Sequence, residues 1–358
     1  MSRERVNYFS FINSISALAV VIMHANVSFW TYQKTGYWEF SNVLESTLYC
    51  AVPLFFMLSG ATLMDYQDRY STKEYFKKRF FKTVVPFLFW SVFSMFWASR
   101  KVIIDIFHNT PGAKLDWTVG SVIDGIFNTK FLHIYWFFIP LFGIYLIMPV
   151  FGAIEKAKRL KAMEYTLWVS MVVNFTVPFI LMLLKNYAGF DMGWTITLFS
   201  GFQYLVYVAA GYVLSKKDYK LRYRLLIYFF ALASLLTHIL GTSIATAKSG
   251  ALTVPFKNYY YLTTVLYSIG VFILLKKIGL RIKNEKVNRF FGWFQRYTFP
   301  VYLIHRYFLD VMEDICLSRN WSKASILYVL IATVVSLTLS VLLTMILRKI
   351  PVLRRIVP

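Results

Sequence analysis

The sequence predicts an all-α, polytopic integral membrane helix bundle of about ten transmembrane helices with both termini cytoplasmic, and three observations carry that expectation. Of the 358 residues, 58% are hydrophobic and 19% aromatic while only 16% are charged, a balance foreign to soluble domains. Apolar runs recur at roughly the 20 residues a bilayer crossing needs. Finally, 39 Lys and Arg against 17 Asp and Glu leave a formal net charge of +22, and the basic residues are distributed unevenly between alternate connecting segments.

The spans fall near 9–30, 43–64, 83–99, 131–154, 163–184, 194–214, 225–243, 258–275, 290–312 and 324–347. The first follows Arg3 and Arg5 and superficially resembles a signal peptide. It is too long for one, contains His24 and lacks a small-residue cleavage site, so it reads as a retained span. The second ends PLFFMLSGATLMD, and the third opens KKRFFKTVVPFLFW. The ninth is interrupted by Arg296, His305, Arg306 and Asp310, so a short helix outside the membrane is its alternative. Arg306 and Asp310 are spaced for an i, i+4 ion pair.

Short cytoplasmic loops are rich in Lys and Arg. With the N-terminus inside, the inner segments hold 27 of the 39 basic residues and the outer ones ten, Arg296 and Arg306 lying within the ninth span. Topology and anionic headgroups thus account for the basic excess, without nucleic acid. No loop is long enough for a soluble domain, so residues 1–358 read as a single transmembrane domain with no appended soluble domain. The longest loop, about 100–130, contains HNTPGAK and room for a short helix. Cys50 and Cys316 offer neither CxxC spacing nor a disulfide framework.

Ionisable residues inside a membrane are costly, and each is a functional candidate. His24 lies about 22 Å from the cytoplasmic edge of a core about 30 Å thick. Asn13, eleven residues earlier, shares its helix face, about 16 Å away along the axis. Ser16, Ala17 and Val20 between them suit either a groove for a slender ligand or close helix packing. Ser59 and Gly60 permit a close backbone approach. Lys78 and Lys82 are one turn apart and suited to phosphate, with Arg79 as a bidentate partner; a solvated positive-inside flank is the alternative. His133 and Trp136 mark the outer end of the fourth span, where an interfacial aromatic belt would look the same. His305 lies near mid-membrane in the ninth. His108 and His238, near outer ends, read as structural.

Taken in order through almost the whole chain, this layout, His24, PLFFMLSG, KRFFKTVVP, YWFFIPLFGIYLIMP, VAAGYVLS at 208–215 and YTFPVYLIH resemble the bacterial acyltransferase 3 family. The resemblance implies a multi-pass enzyme of the bacterial plasma membrane. Such an enzyme passes an acyl group, usually acetyl, from cytoplasmic acyl-CoA to a hydroxyl of a surface polysaccharide or lipid-linked glycan, with acetyl-CoA as co-substrate and no metal. The family's first span typically shows Arg, ten residues, then His. His24 matches the histidine, whereas Asn13 stands in the arginine position, and an amide cannot neutralise an anion as a guanidinium does.

Lys78, Arg79 and Lys82 match the family's basic cluster ahead of a proline, here Pro86, and by resemblance would contact the coenzyme's phosphates. Ser59 and Gly60 match its Ser-Gly pair, and His305 a histidine common in the ninth span. His133 is displaced by one place from the usual His-Leu-Trp. The resemblance therefore assigns chemistry to His24, as general base or nucleophile, with His305 as a second acid/base or orienting group. It assigns the donor to Asn13, Ser59, Gly60, Lys78, Arg79 and Lys82, and the acceptor sugar to His133, Trp136, Tyr37 and Trp38. Its partners would be the lipid bilayer, the glycan and polysaccharide synthesis machinery. The rival readings are a transporter or sensor without coenzyme A chemistry and a structural partner of a polysaccharide synthase.

Overall fold

A computed structural model describes residues 3–107, 114–115, 117–197 and 203–358, with side chains from residue 8 onward except 106 and 107. His108, most of the HNTPGAK stretch, part of the sixth predicted span and the side chains of Arg3 and Arg5 lie outside the described residues. Among those described there is no strand.

The first crossing is α1 (Arg3–Ala25). The second begins earlier than the sequence suggested and is broken into α2 (Gly36–Leu48) and α3 (Ala51–Leu63). Pro53 has no N–H for the carbonyl of Tyr49, and the helix turns at Tyr49 and Cys50. The third comprises α4 (Thr72–Arg79), capped by the Ser71 hydroxyl accepting from the Glu74 N–H, a π-helical turn Phe80–Val84, and α5 (Val85–Ala98). Short helices α6 (Arg100–Phe107) and α7 (Val119–Phe127) occupy the long outer loop. A 3₁₀ turn His133–Phe137 leads into α8 (Phe138–Gly152). The fifth crossing repeats the third's design: α9 (Lys156–Ser170), a π-helical turn Met171–Thr176 and α10 (Val177–Ala188). Both π turns run into a Val-Pro-Phe start at Pro86 or Pro178; the missing proline N–H relaxes the ladder one turn back.

Then come α11 (Leu205–Lys216), α12 (Leu221–Ser249), α13 (Leu262–Arg281), α14 (Glu285–Ser318) and α15 (Ile326–Lys349). Among the described residues, eight stretches are long and apolar enough to cross a membrane. The two further predicted spans are α11, with only 12 residues described, and α14, one continuous 34-residue helix rather than a short external one. Its charges keep its hydropathy low, and those of its outer half, Arg306, Asp310, Glu313 and Asp314, are paired.

α1 is the hub. It packs against α3, α13, α14 and α15, and its apolar window is 72% buried inside the protein, against 17% for Lys156–Ala188 on the periphery. Ser16, Ala17 and Val20 are all buried, so the face joining Asn13 to His24 is helix packing rather than an open groove. α3 and α11 cross at their closest where Gly60 faces Val208 and Gly211 faces Met57. A Cβ on Gly60 would stand 2.0 Å from the Val208 carbonyl oxygen, and one on Gly211 1.9 Å from that of Met57. Just beyond the C-terminal end of α3, Asp65 ties three crossings together, contacting Arg159 (2.8 Å), Lys216 (2.5 Å) and the Tyr212 hydroxyl (2.8 Å).

Candidate active site

His24, in the last turn of α1, meets His305 of α14 with Nδ1 and Nε2 2.7 Å apart and the rings nearly parallel at 8°. The tautomers follow from one further contact. His305 Nδ1 lies 2.8 Å from the Val301 carbonyl oxygen, which can only accept, so Nδ1 carries the proton and donates. His305 Nε2 then holds a lone pair and accepts from His24 Nδ1–H, leaving His24 Nε2 as the basic nitrogen. His305 is fully buried, and its carbonyl accepts from Ser336 Oγ at 2.7 Å. One turn earlier, Pro300 frees the carbonyl of Arg296, which accepts from an Arg348 N–H at 2.7 Å.

His24 lines an outer cavity of about 1260 Å³ with His133, Trp136, Trp30, Glu45, Tyr49 and Tyr259 among the other walls. Arg306 also lines it. Its guanidinium pairs with Asp310 (2.8 Å), as the spacing predicts, and with Glu313 (2.9 Å), and approaches the His24 carbonyl at 3.4 Å. That places a cation on the last carbonyls of α1, where the helix dipole favours it.

An inner cavity of about 400 Å³ gathers Asn13 and Ser59 with Arg79, Lys82 and Arg296. Among the described residues that line it there is no Asp or Glu, and they include Pro358, whose backbone oxygen accepts from an Arg348 N–H at 2.6 Å. Asn13 Oδ1 and Arg79 Nε are buried there without hydrogen-bond partners. Lys82 belongs to the π turn and Arg79 to the residue before it, so the backbone irregularity ahead of Pro86 carries both cations. Tyr302 lines the inner cavity, stands 6.2 Å from the His305 ring and donates from its hydroxyl to the Ile134 carbonyl. With Phe137, 5.6 Å away ring to ring, it forms the wall between the inner cavity and the histidine pair.

The sequence-predicted residues thus separate into two groups. His24 with His305, His133 with Trp136 in the outer cavity, and Asn13 with Ser59, Arg79 and Lys82 in the inner one are brought together. Lys78 instead pairs with Glu74 at 2.7 Å and lies over the Tyr70 ring at 3.9 Å. Gly60 serves the α3–α11 contact. Trp38 is buried, its indole N–H donating to the Phe29 carbonyl at 3.2 Å, and neither it nor Tyr37 lines the outer cavity. Trp30, Tyr259 and Arg296 do line cavities and were not singled out. Arg296 carried a signal, as an arginine inside an apolar span; the aromatic residues carried none among so many of their kind. His238, expected to be structural, is fully buried in α12 beside Thr264.

Fold and site together define a polytopic membrane protein in which a hydrogen-bonded imidazole pair sits beside an outer polar and aromatic cavity, with a basic cavity on the inner side. The chain matches the family described as Acyltransferase domain over residues 6–345. It belongs to that family and is a membrane acyltransferase. No curated protein and no solved structure matches it.

Proposed function

We propose that this chain is an O-acyltransferase of the bacterial plasma membrane, moving an acetyl group from cytoplasmic acetyl-CoA to a hydroxyl of a surface polysaccharide or lipid-linked glycan. The observation that carries the proposal is the chain of hydrogen bonds from Val301 through His305 to His24, which leaves His24 Nε2 basic at the edge of the outer cavity. As general base, His24 Nε2 takes the acceptor's hydroxyl proton while that oxygen attacks the thioester carbonyl carbon. The C–S bond breaks, and the departing thiolate takes up the proton. His305 acts as a positioning residue: it accepts from His24 Nδ1–H and steadies the imidazolium that forms.

On the donor side, Arg79, Lys82 and Arg296 supply positive charge for the coenzyme's phosphates, in a cavity whose described lining holds no Asp or Glu side chain. Asn13 then has a role suited to an amide: its free Oδ1 accepts from an amide N–H of the pantetheine arm. The acyl end reaches the histidines past Tyr302. The cation missing from position 13 has a counterpart in Arg296 on the neighbouring helix, which supports donor binding in this cavity.

The test is acceptor-dependent release of coenzyme A from acetyl-CoA by the purified full chain, with the glycan's ester content determined by mass in cells with and without it. Absence of saturable acetyl-CoA binding would favour a transporter or sensor. In the absence of acceptor, a stable mass increase of one acetyl group on the protein would replace the general-base route with an acyl-imidazole intermediate.

A further inference from the structure

Glu45 is a carboxylate on a membrane helix, 2% exposed, in the wall of the outer cavity that also holds His24. Buried charge of this kind persists only with compensation or use. Part of the compensation is visible. Lys257, itself 5% exposed, supplies the counter-charge from behind, its ammonium bonded to Ser46 Oγ at 3.2 Å and over the Phe29 ring at 4.1 Å. Asn26 meets the carboxylate too and is held by Ser41. Yet Glu45 Oε2 is buried with no hydrogen-bond partner. The cationic residues lining the cavity do not reach it, because Arg306 is engaged by Asp310 and Glu313, and Lys323 by Glu313 at 3.5 Å.

A second observation comes from the neighbouring rings. Tyr49 lies one turn after Glu45, stacks on Tyr259 at 4.5 Å and 3°, and Tyr259 stacks in turn on Trp136 at 5.3 Å and 25°. All three line the same cavity. A flat aromatic run offers the C–H face of a sugar ring an apolar surface, while a carboxylate at its edge accepts from ring hydroxyls. Resting on the function proposed above, we infer that Glu45 selects the acceptor, with its free oxygen accepting from a hydroxyl of a neutral, hydroxyl-rich sugar stacked on the Tyr49, Tyr259 and Trp136 platform. An acceptor ring bearing its own carboxylate or phosphate at that point meets like charge and is rejected. Glu45 is a specificity-determining residue, and the proton transfer stays with His24.

The experiment titrates the detergent-solubilised full chain with neutral oligosaccharides of glucose, galactose and N-acetylglucosamine and with glucuronate oligosaccharides, reading tryptophan fluorescence from Trp30 and Trp136. At least one neutral probe binds and the glucuronate probes do not. Glu45→Gln weakens that binding about 10- to 100-fold, the range for a hydrogen bond to a charged group, and leaves acetyl-CoA binding unchanged. Glu45→Asp keeps the charge facing Lys257 and loses less, which guards against a misfolded Gln variant. Equal binding by Glu45→Gln, preference for glucuronate, or no neutral probe binding overturns the inference. If oligosaccharide binding depends on Glu45 but no acetyl group is transferred, the acyl-transfer reading falls and the sugar site stands.

Discussion

His24 and His305 are joined by a single 2.7 Å contact, and the Val301 carbonyl behind His305 sets its direction. Two residues 281 positions apart therefore act as one device, in which a buried neutral imidazole holds its partner in the tautomer that keeps Nε2 basic. The arrangement depends on α1 and α14 packing side by side, and it assigns different roles to two histidines that look equivalent in the sequence.

His24→Ala removes the proposed base. Acceptor-dependent release of coenzyme A is expected to fall by about 10²- to 10⁴-fold, the usual contribution of general acid–base catalysis, with acetyl-CoA affinity retained. Turnover at the wild-type rate would remove His24 from the mechanism.

His305→Leu leaves His24 without its acceptor, whereas His305→Gln keeps a carbonyl oxygen for His24 Nδ1–H. A positioning role is expected to lower kcat in the Leu variant with KM for the glycan unchanged, and to restore much of the rate in the Gln variant. Equal loss in both, accompanied by lowered thermal stability, would instead indicate packing alone.

Arg79→Gln, Lys82→Gln and Arg296→Gln are each expected to weaken acetyl-CoA binding about 10- to 100-fold, as for lost bonds between charged groups. Lys78→Gln is expected to change it little, since Lys78 is committed to Glu74 and Tyr70. Isothermal titration of the four variants at two salt concentrations separates cavity cations from the general inner-face charge. A large loss at Lys78 with none at Arg296 would move the donor site to the exposed flank.

Asn13→Arg adds a fourth cation to a cavity-lining position rather than to a packed face. The variant is expected to fold normally and to bind acetyl-CoA more tightly, with a steeper dependence on salt. Measured affinity at or below wild type would mean that the lost hydrogen bond from the pantetheine amide to Asn13 outweighs the added charge.

Gly60→Ala and Gly211→Ala push a methyl group into opposing backbone at 2.0 and 1.9 Å. Each is expected to destabilise the α3–α11 contact by about 1–3 kcal/mol, the range for overpacking, and to lower yield and melting temperature in detergent. A folded Gly60→Ala protein with a selective loss of acetyl-CoA binding would restore Gly60 to the donor site.

Much of the site was legible before the tertiary structure. An imidazole in an apolar span, or an arginine such as Arg296 interrupting one, announces itself because burial of a charge without a reason is expensive. The cations ahead of Pro86 were equally visible, but not which of them turns inward. That depends on the π turn, which rotates Lys82 relative to Lys78 in a way that regular 100° spacing does not anticipate. Glu45 passed unnoticed beside the Ser-Gly pair because its worth lies in the absence of a partner, a property of its surroundings and not of its chain neighbours.

Composition, span length and the bias of basic residues were enough to determine an all-α membrane bundle, because hydrocarbon forces each segment to satisfy its own backbone and to expose an apolar surface. Those constraints act on each segment separately. The pairing of α1 with α14, the sealing of the Asn13 to His24 face, the diversion of Gly60 and Trp38 into packing, and the division into outer and inner cavities were decided only by tertiary structure. Helix association inside a bilayer turns on the fit of small residues and polar contacts between distant segments, and no single span carries that information.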